Sequence, residues 1–121
     1  MKRNRKTLTI ALLRGPYSSD NAELALHLAR KTKEKGHTVN VFLYIDGVWN
    51  AHSDQNPQNQ PNIAQLLNET RQAGVDIKVC VRCGKARGLK EQDILPELPF
   101  VMIHQLTQWV AESDKVLTFT D

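Results

Sequence analysis

Residues 7–13 read Thr-Leu-Thr-Ile-Ala-Leu-Leu, and this segment decides the fold. The run is short, largely apolar and followed directly by the turn sequence Arg14-Gly-Pro-Tyr17. A segment of this kind is typical of a strand that is buried on both faces in a parallel sheet. We therefore take it as the first strand of an α/β sheet.

Working outward from this strand, helical and extended patterns alternate along the chain. The predicted elements are a helix after Asp20 or Asn21 with Leu24 and Leu28 on one face, a strand at 39–45, a helix capped by Asn62, a strand at 75–81, a short helix at 89–95, a helix carrying Trp109 in the core, and a strand at 115–120. Strands and helices at this spacing indicate right-handed βαβ units. We expect a flavodoxin-like three-layer domain with a mostly parallel sheet of about five strands and helices on both faces.

Length and composition indicate one domain over residues 1–121, with 40% hydrophobic and 24% charged residues. Residues 1–6 form a basic N-terminal tail, and the Asn/Gln-rich segment 52–61 is expected to be a polar, mobile loop. No apolar run approaches the ~20 residues of a membrane span. We expect a cytoplasmic protein that does not interact with membranes.

The net charge is only +3, but its distribution singles out one region. Five cations, Lys78, Arg82, Lys85, Arg87 and Lys90, lie between Asp76 and Glu91 with no acid among them, and they surround Cys80. Ligands in open α/β sheets bind beyond the carboxyl ends of the strands, which is where Cys80 falls. A thiol reacts as the thiolate, which nearby cations and a following helix N-terminus favour. The alternation places Cys80 with Lys78 rather than with the valines, so we expect its sulfur to be accessible, with Arg82, Lys85 and Arg87 stabilising the thiolate.

The spacing Cys80-x-x-Cys83 leaves other interpretations open. A cysteine can equally be a small buried apolar residue, and Cys83 an incidental thiol. A structural zinc site needs four ligands, and the chain has no second pair of cysteines to supply them. A thioredoxin-like dithiol is partly compatible with the context. No cofactor motif is present, and the basic residues have no aromatic stacking platform among them, so neither a cofactor nor direct binding of nucleic acid is predicted.

Three segments together resemble the DsrE/TusD-like (DsrE/DsrF-like) family of small sulfur-relay proteins. They are Ile10-Ala-Leu-Leu-Arg-Gly-Pro-Tyr17, then Gly36-His-Thr-Val-Asn-Val-Phe-Leu-Tyr44 with Asp46-Gly-Val-Trp-Asn-Ala51, and Gly74-Val-Asp-Ile-Lys-Val-Cys80 followed by Arg87-Gly88. The resemblance spans nearly the whole chain in the same order, and it places Cys80 in register with the sulfur-accepting cysteine of the family.

The resemblance implies a sulfurtransferase-type carrier. Cys80 would accept a sulfane sulfur as a persulfide from a donor protein and pass it to an acceptor protein, in tRNA 2-thiolation or dissimilatory sulfur metabolism. Cys83 could act as a resolving thiol. The family also implies a homo-oligomer, a trimer or hexamer, or a hetero-oligomer with DsrF- and DsrH-type subunits. The alternatives are a thiol–disulfide redox protein using Cys80 and Cys83, and a non-catalytic subunit of such an oligomer.

Overall fold

The computed structural model describes residues 4–120 and shows one five-stranded sheet in which every neighbouring pair of strands is parallel. The strand order is β4-β3-β2-β1-β5. Residues 1–3 of the expected basic tail lie outside the described range. The elements are β1 (Thr7–Leu12), α1 (Asn21–Glu34), β2 (Thr38–Leu43), a 3₁₀ segment (Ile45–Ala51), α2 (Ile63–Gln72), β3 (Asp76–Cys80), α3 (Val81–Ala86), a 3₁₀ turn (Glu91–Asp93), β4 (Phe100–Val101), α4 (His104–Glu112) and β5 (Lys115–Phe119).

One face of the sheet is aliphatic and is covered by α1 and α2. Along β1 and β2, alternate side chains such as Ile10 and Val41 point to this face and are fully buried. The side of α1 that packs here carries Leu26 and three alanines, whereas Leu24 is 57% exposed. The expectation that Leu24 belongs to the buried face was therefore wrong, because the small alanines let the helix approach the sheet on the opposite side.

The other face is more polar and is covered by α4. The ring of Trp109 packs edge-on against Phe42, with centroids 6.2 Å apart, and the Lys78 ammonium lies 4.9 Å from the Trp109 ring centroid. At the end of α4 the hydroxyls of Ser113 and Thr9 are 2.5 Å apart and share a hydrogen bond. The three-layer α/β architecture predicted from the sequence is thus confirmed, with Trp109 in its core.

Several helix and strand ends differ from the ends that the sequence predicts. β2 stops at Leu43, since Ile45 adopts a positive φ of 55°, and β3 stops at Cys80, since Val81 begins α3. The helix expected at 89–95 is only a 3₁₀ turn, in which the Asp93 carboxylate accepts a hydrogen bond from the Lys90 N–H and closes a single turn. None of the helices in the described range is long and apolar enough to cross a membrane.

Candidate functional site

The carboxyl end of β3 borders a small cavity that we call the thiol cavity. Its volume is about 370 Å³, and it is lined by Tyr44, Cys80, Arg82, Cys83, Ala86, Arg87 and Ile103. The location follows from the topology, because all the strands are parallel and their carboxyl ends therefore meet at one edge of the sheet. Both cysteines are free thiols.

Cys80 lies at the wall of this cavity but is almost completely shielded from bulk solvent. It is the residue that precedes α3, and only 1% of its surface is exposed. The expectation of an open, accessible sulfur was therefore wrong. The side chain lies on the α4 face, as the alternation with Lys78 predicts, but β4 pairs with β3 beside it (Cys80 opposite Val101) and closes this edge. The thiol cavity is the opening that Cys80 lines.

Cys83 is the more accessible of the two thiols. It is half-buried, and the backbone N–H of Ile45 donates a hydrogen bond to its Sγ at 3.3 Å. Burial raises the pKa of Cys83, and the adjoining Cys80 side chain, which is within hydrogen-bonding reach, raises this pKa further. The Ile45 N–H and the positive charge of Arg87 act in the opposite direction. Cys83 is therefore mainly protonated at neutral pH and can donate its S–H to the sulfur of Cys80.

Arg87 is the cation that the structure fixes most firmly at the site. Its Nε donates to the Asp46 carboxylate at 3.0 Å, and its Nη1 donates to the Cys83 carbonyl at 3.1 Å. Only 26% of the Arg87 side chain is exposed. A guanidinium held by two partners on different elements cannot swing freely, so its positive charge stays beside the thiols.

The other two predicted cations have different positions. Arg82 is exposed but lines the thiol cavity, so the structure brings it together with the cysteines. Lys85 does not line the cavity, and its ammonium lies 5.6 Å from the centroid of the Phe100 ring instead. Its predicted proximity to the thiols was wrong, since the helical phase of α3 turns Lys85 toward β4.

The 3₁₀ segment after β2 supplies contacts that the sequence motifs did not reveal. Ile45 carries the N–H that meets Cys83, and Asp46 holds Arg87. Gly47 lies against the backbone of Leu12 so closely that no side chain would fit. The buried Asn50 amide donates to the carbonyls of Arg14 and Gly47, both at 2.9 Å, and ties the segment to the loop after β1. The only sequence signal for these roles was the Asp46-Gly-Val-Trp-Asn-Ala51 string itself.

The geometry of the site is therefore that of two adjoining thiols in a small cavity beside two guanidinium groups. Among residues 4–120, no cluster of three or more His, Cys, Asp or Glu side chains is placed to hold a metal ion. Such a site suits nucleophilic sulfur chemistry, in which a thiolate attacks a sulfur atom and the cations stabilise the anions that form.

Comparison with known proteins identifies the family of the chain. The profile of the DsrE/DsrF-like family matches residues 6–119, and the chain belongs to this family. The protein MJ0989 of Methanocaldococcus jannaschii is 40% identical over 111 residues, covering 92% of this chain and 97% of the relative. Protein YchN of Escherichia coli is 30% identical over 106 residues, covering 86% and 91% of the two chains.

Solved structures show the same fold. The crystal structure of the E. coli ychN protein superimposes with a TM-score of 0.85 at 29% identity, covering 95% of this chain and 99% of that one. MTH1491 from Methanobacterium thermoautotrophicum gives a TM-score of 0.78 at 14% identity, covering 93% and 98%. Because MTH1491 is only 14% identical, its match shows a shared fold and nothing more.

Proposed function

We propose that this protein is a sulfur-relay carrier that takes up a sulfane sulfur as a persulfide on Cys80 and passes it to a partner thiol in the cytoplasm. The observation that carries the proposal is the pairing of Cys80 and Cys83 in one cavity that Arg82 and Arg87 also line. Membership of the DsrE/DsrF-like family supports it, because the resemblance implies a sulfur-accepting role for Cys80.

The loading step is a nucleophilic substitution at sulfur. The Cys80 thiolate attacks the outer sulfur of a donor R–S–SH, the bond between the two donor sulfurs breaks, and Cys80–S–SH forms. The leaving R–S⁻ takes a proton from water, so no external oxidant or reductant is needed. Arg82 and Arg87 stabilise the negative charge, and the protonated Cys83 can donate to the sulfur of Cys80.

Unloading reverses the same chemistry. The thiolate of an acceptor protein attacks the outer sulfur of Cys80–S–SH and leaves with it, which regenerates the Cys80 thiolate. Cys83 offers a second exit, because its thiolate can attack the inner sulfur of the persulfide, forming a Cys80–Cys83 disulfide and releasing HS⁻. A thiol reductant must then reopen that disulfide.

Intact-mass spectrometry after incubation with a persulfide donor tests the proposal. The wild-type chain should gain the mass of one sulfur atom, and the Cys80→Ser variant should not. Equal gain in Cys80→Ser, or no gain in wild type, would refute the carrier function. Cys83→Ser is the matched control, because a carrier that needs only Cys80 should still load.

The close contact of the two thiols favours a second candidate, a thiol–disulfide redox protein. In that case Cys83→Ser would abolish activity toward disulfide substrates, while wild type would cycle between dithiol and disulfide without keeping a sulfur atom. The family further suggests a homo-trimer or hexamer, or assembly with DsrF- and DsrH-type subunits. Light scattering of the purified chain measures the first, and co-expression with such subunits tests the second.

A further inference from the structure

A second and larger cavity opens at the same edge of the sheet, beyond the ends of β1 and β2. We call it the β1–β2 cleft. Its volume is about 870 Å³, and it is lined by 14–18, Asp46, Trp49, His52, 54–57 and Gln60. A cleft of this size is within the ~300–1,000 Å³ of small-molecule sites. Its position, at the carboxyl ends of parallel strands, is where ligands of open α/β sheets bind.

The walls of the cleft are held in place by hydrogen bonds between the two loops that form them. The Gln55 amide donates to the carbonyls of His52 (2.8 Å) and Asn50 (3.1 Å), and its oxygen accepts from the Tyr17 hydroxyl at 2.5 Å. That hydroxyl in turn accepts from the N–H of Ile63 at 3.0 Å. The backbone of Tyr17 is in the left-handed region, with φ 72°, a conformation that a bulky residue keeps only where its surroundings impose it. The cleft is therefore preformed.

The lining of the cleft carries both signs of charge and exposed aromatic surface. Arg14 brings a positive charge to the wall formed by the loop after β1, while its guanidinium also donates to Ser18. Asp54 contributes a negative charge to the same lining, and Trp49, 36% exposed, contributes an indole surface. A ligand that carries both a carboxylate and an ammonium group finds a complementary charge for each in this lining. A polyanion would be repelled by Asp46 and Asp54.

The β1–β2 cleft and the thiol cavity share one partition, which is the ion pair of Asp46 and Arg87. Asp46 lines the cleft, Arg87 lines the thiol cavity, and the neighbouring Ile45 N–H contacts Cys83. Because Cys80 is only 1% exposed, a protein donor would have to insert a whole cysteine side chain to reach it. A small molecule seated in the cleft needs only to extend its terminal sulfur past the partition.

We propose that the β1–β2 cleft binds the sulfur donor, and that this donor is the low-molecular-weight persulfide of a zwitterionic α-amino acid, with cysteine persulfide as the simplest case. The inference rests on the proposed carrier function and adds the class of its substrate. Arg14 receives the carboxylate, Asp54 receives the ammonium, and the side-chain sulfurs point over the Asp46–Arg87 pair. The outer sulfur is then attacked by Cys80, the donor S–S bond breaks, and free cysteine leaves as the thiolate and takes a proton from water.

The test compares loading of the full chain by two donors, cysteine persulfide and inorganic polysulfide, followed by intact-mass spectrometry. The measured quantity is the ratio of the two initial loading rates for each variant. Wild type should prefer cysteine persulfide and saturate with it. Asp54→Asn should lower the ratio by about tenfold, the effect of weakening one charge-assisted hydrogen bond. Asp20→Asn, the same change at an exposed aspartate outside the cleft, is the control and should keep the wild-type ratio.

A binding measurement separates the two proposals. S-methylcysteine has the same zwitterionic head but no transferable sulfur, and it should change the fluorescence of Trp49, while its methyl ester, which lacks the carboxylate, should bind at least tenfold more weakly. The inference is overturned, and the carrier function stands, if both donors load the protein and Asp54→Asn leaves the ratio of their loading rates unchanged. The absence of S-methylcysteine binding has the same meaning. Loading by neither donor, with S-methylcysteine still bound, overturns the carrier function instead.

Discussion

Replacing Gly47 by alanine should destabilise the protein strongly, although Gly47 has no unusual backbone angle. The added Cβ would overlap the carbonyl oxygen of Leu12 and lie 2.8 Å from its carbonyl carbon. The obstacle is backbone, and the same oxygen accepts the N–H of Tyr44 at 3.1 Å, so neither side can yield without breaking a hydrogen bond. Overpacking costs about 1–3 kcal/mol and a lost hydrogen bond about 1 kcal/mol, so we expect the free energy of unfolding to fall by about 2–4 kcal/mol.

The assay is thermal unfolding followed by circular dichroism. For a chain of this size about 1 kcal/mol corresponds to about 4 °C, so the midpoint should fall by roughly 8–16 °C. Gly88→Ala is the matched control, because Gly88 has a φ of 80° and no atom within 4 Å of the added Cβ. It bears only the left-handed backbone penalty, about 1 kcal/mol or 4 °C. Equal midpoints for the two variants would refute the steric explanation.

Three further predictions concern the thiols and the partition between the cavities. Cys80→Ala should lower the pKa of Cys83, because it removes one of the groups that raise it, and the pH profile of Cys83 alkylation should move to lower pH. The raised folded-state pKa of Cys83 adds stability that is present below the ordinary thiol pKa of about 8.5 and is lost as pH rises through the raised value. The free energy of unfolding of wild type, measured with urea, should therefore fall over that alkaline range, and Cys83→Ala should make it depend less on pH. Asp46→Asn should cost less than about 1 kcal/mol in urea unfolding, because the carboxylate is 62% exposed, yet should slow sulfur loading severalfold since Arg87 loses its anchor; unchanged loading would contradict the positioning role.

The sequence was informative where local periodicity decides the structure. The run at Thr7 predicted a buried strand of a parallel sheet, and β1 is buried and pairs in parallel with both β2 and β5. The alternation through Lys78 placed Cys80 on the correct face of the sheet and near the end of β3. Asn62 was predicted to cap α2, and its side chain accepts the Gln65 N–H at 3.0 Å.

The same reasoning could not predict how closed the site is. Cys80 is covered because β4, a strand of only two residues some twenty positions later in the chain, pairs beside it. Two residues carry too little alternation for the sequence to show that they pair beside Cys80. The direction of Lys85 depends on α3 beginning at Val81 and not a residue or two later, and element ends are the least predictable feature of a sequence. Burial and side-chain direction here are properties of tertiary contacts, which single-sequence patterns do not contain.

The segment Ile45-Asp46-Gly47 lies outside the cysteine loop, and most of it falls in one of the three stretches that resemble the family. Ile45 is β-branched and yet has a φ of 55°, a conformation that costs about 1–3 kcal/mol. The strain is maintained because Gly47 donates its N–H to the Tyr44 carbonyl at 2.8 Å and lets the turn lie flat on β1. As a result, the Ile45 N–H points to the Cys83 sulfur, and the carboxylate of the next residue, Asp46, accepts a hydrogen bond from Arg87. Packing alone would favour a residue at position 45 whose backbone angles are unstrained. A strained backbone that directs one donor to a thiol and one anion to its guanidinium neighbour supports the sulfur chemistry proposed for this site.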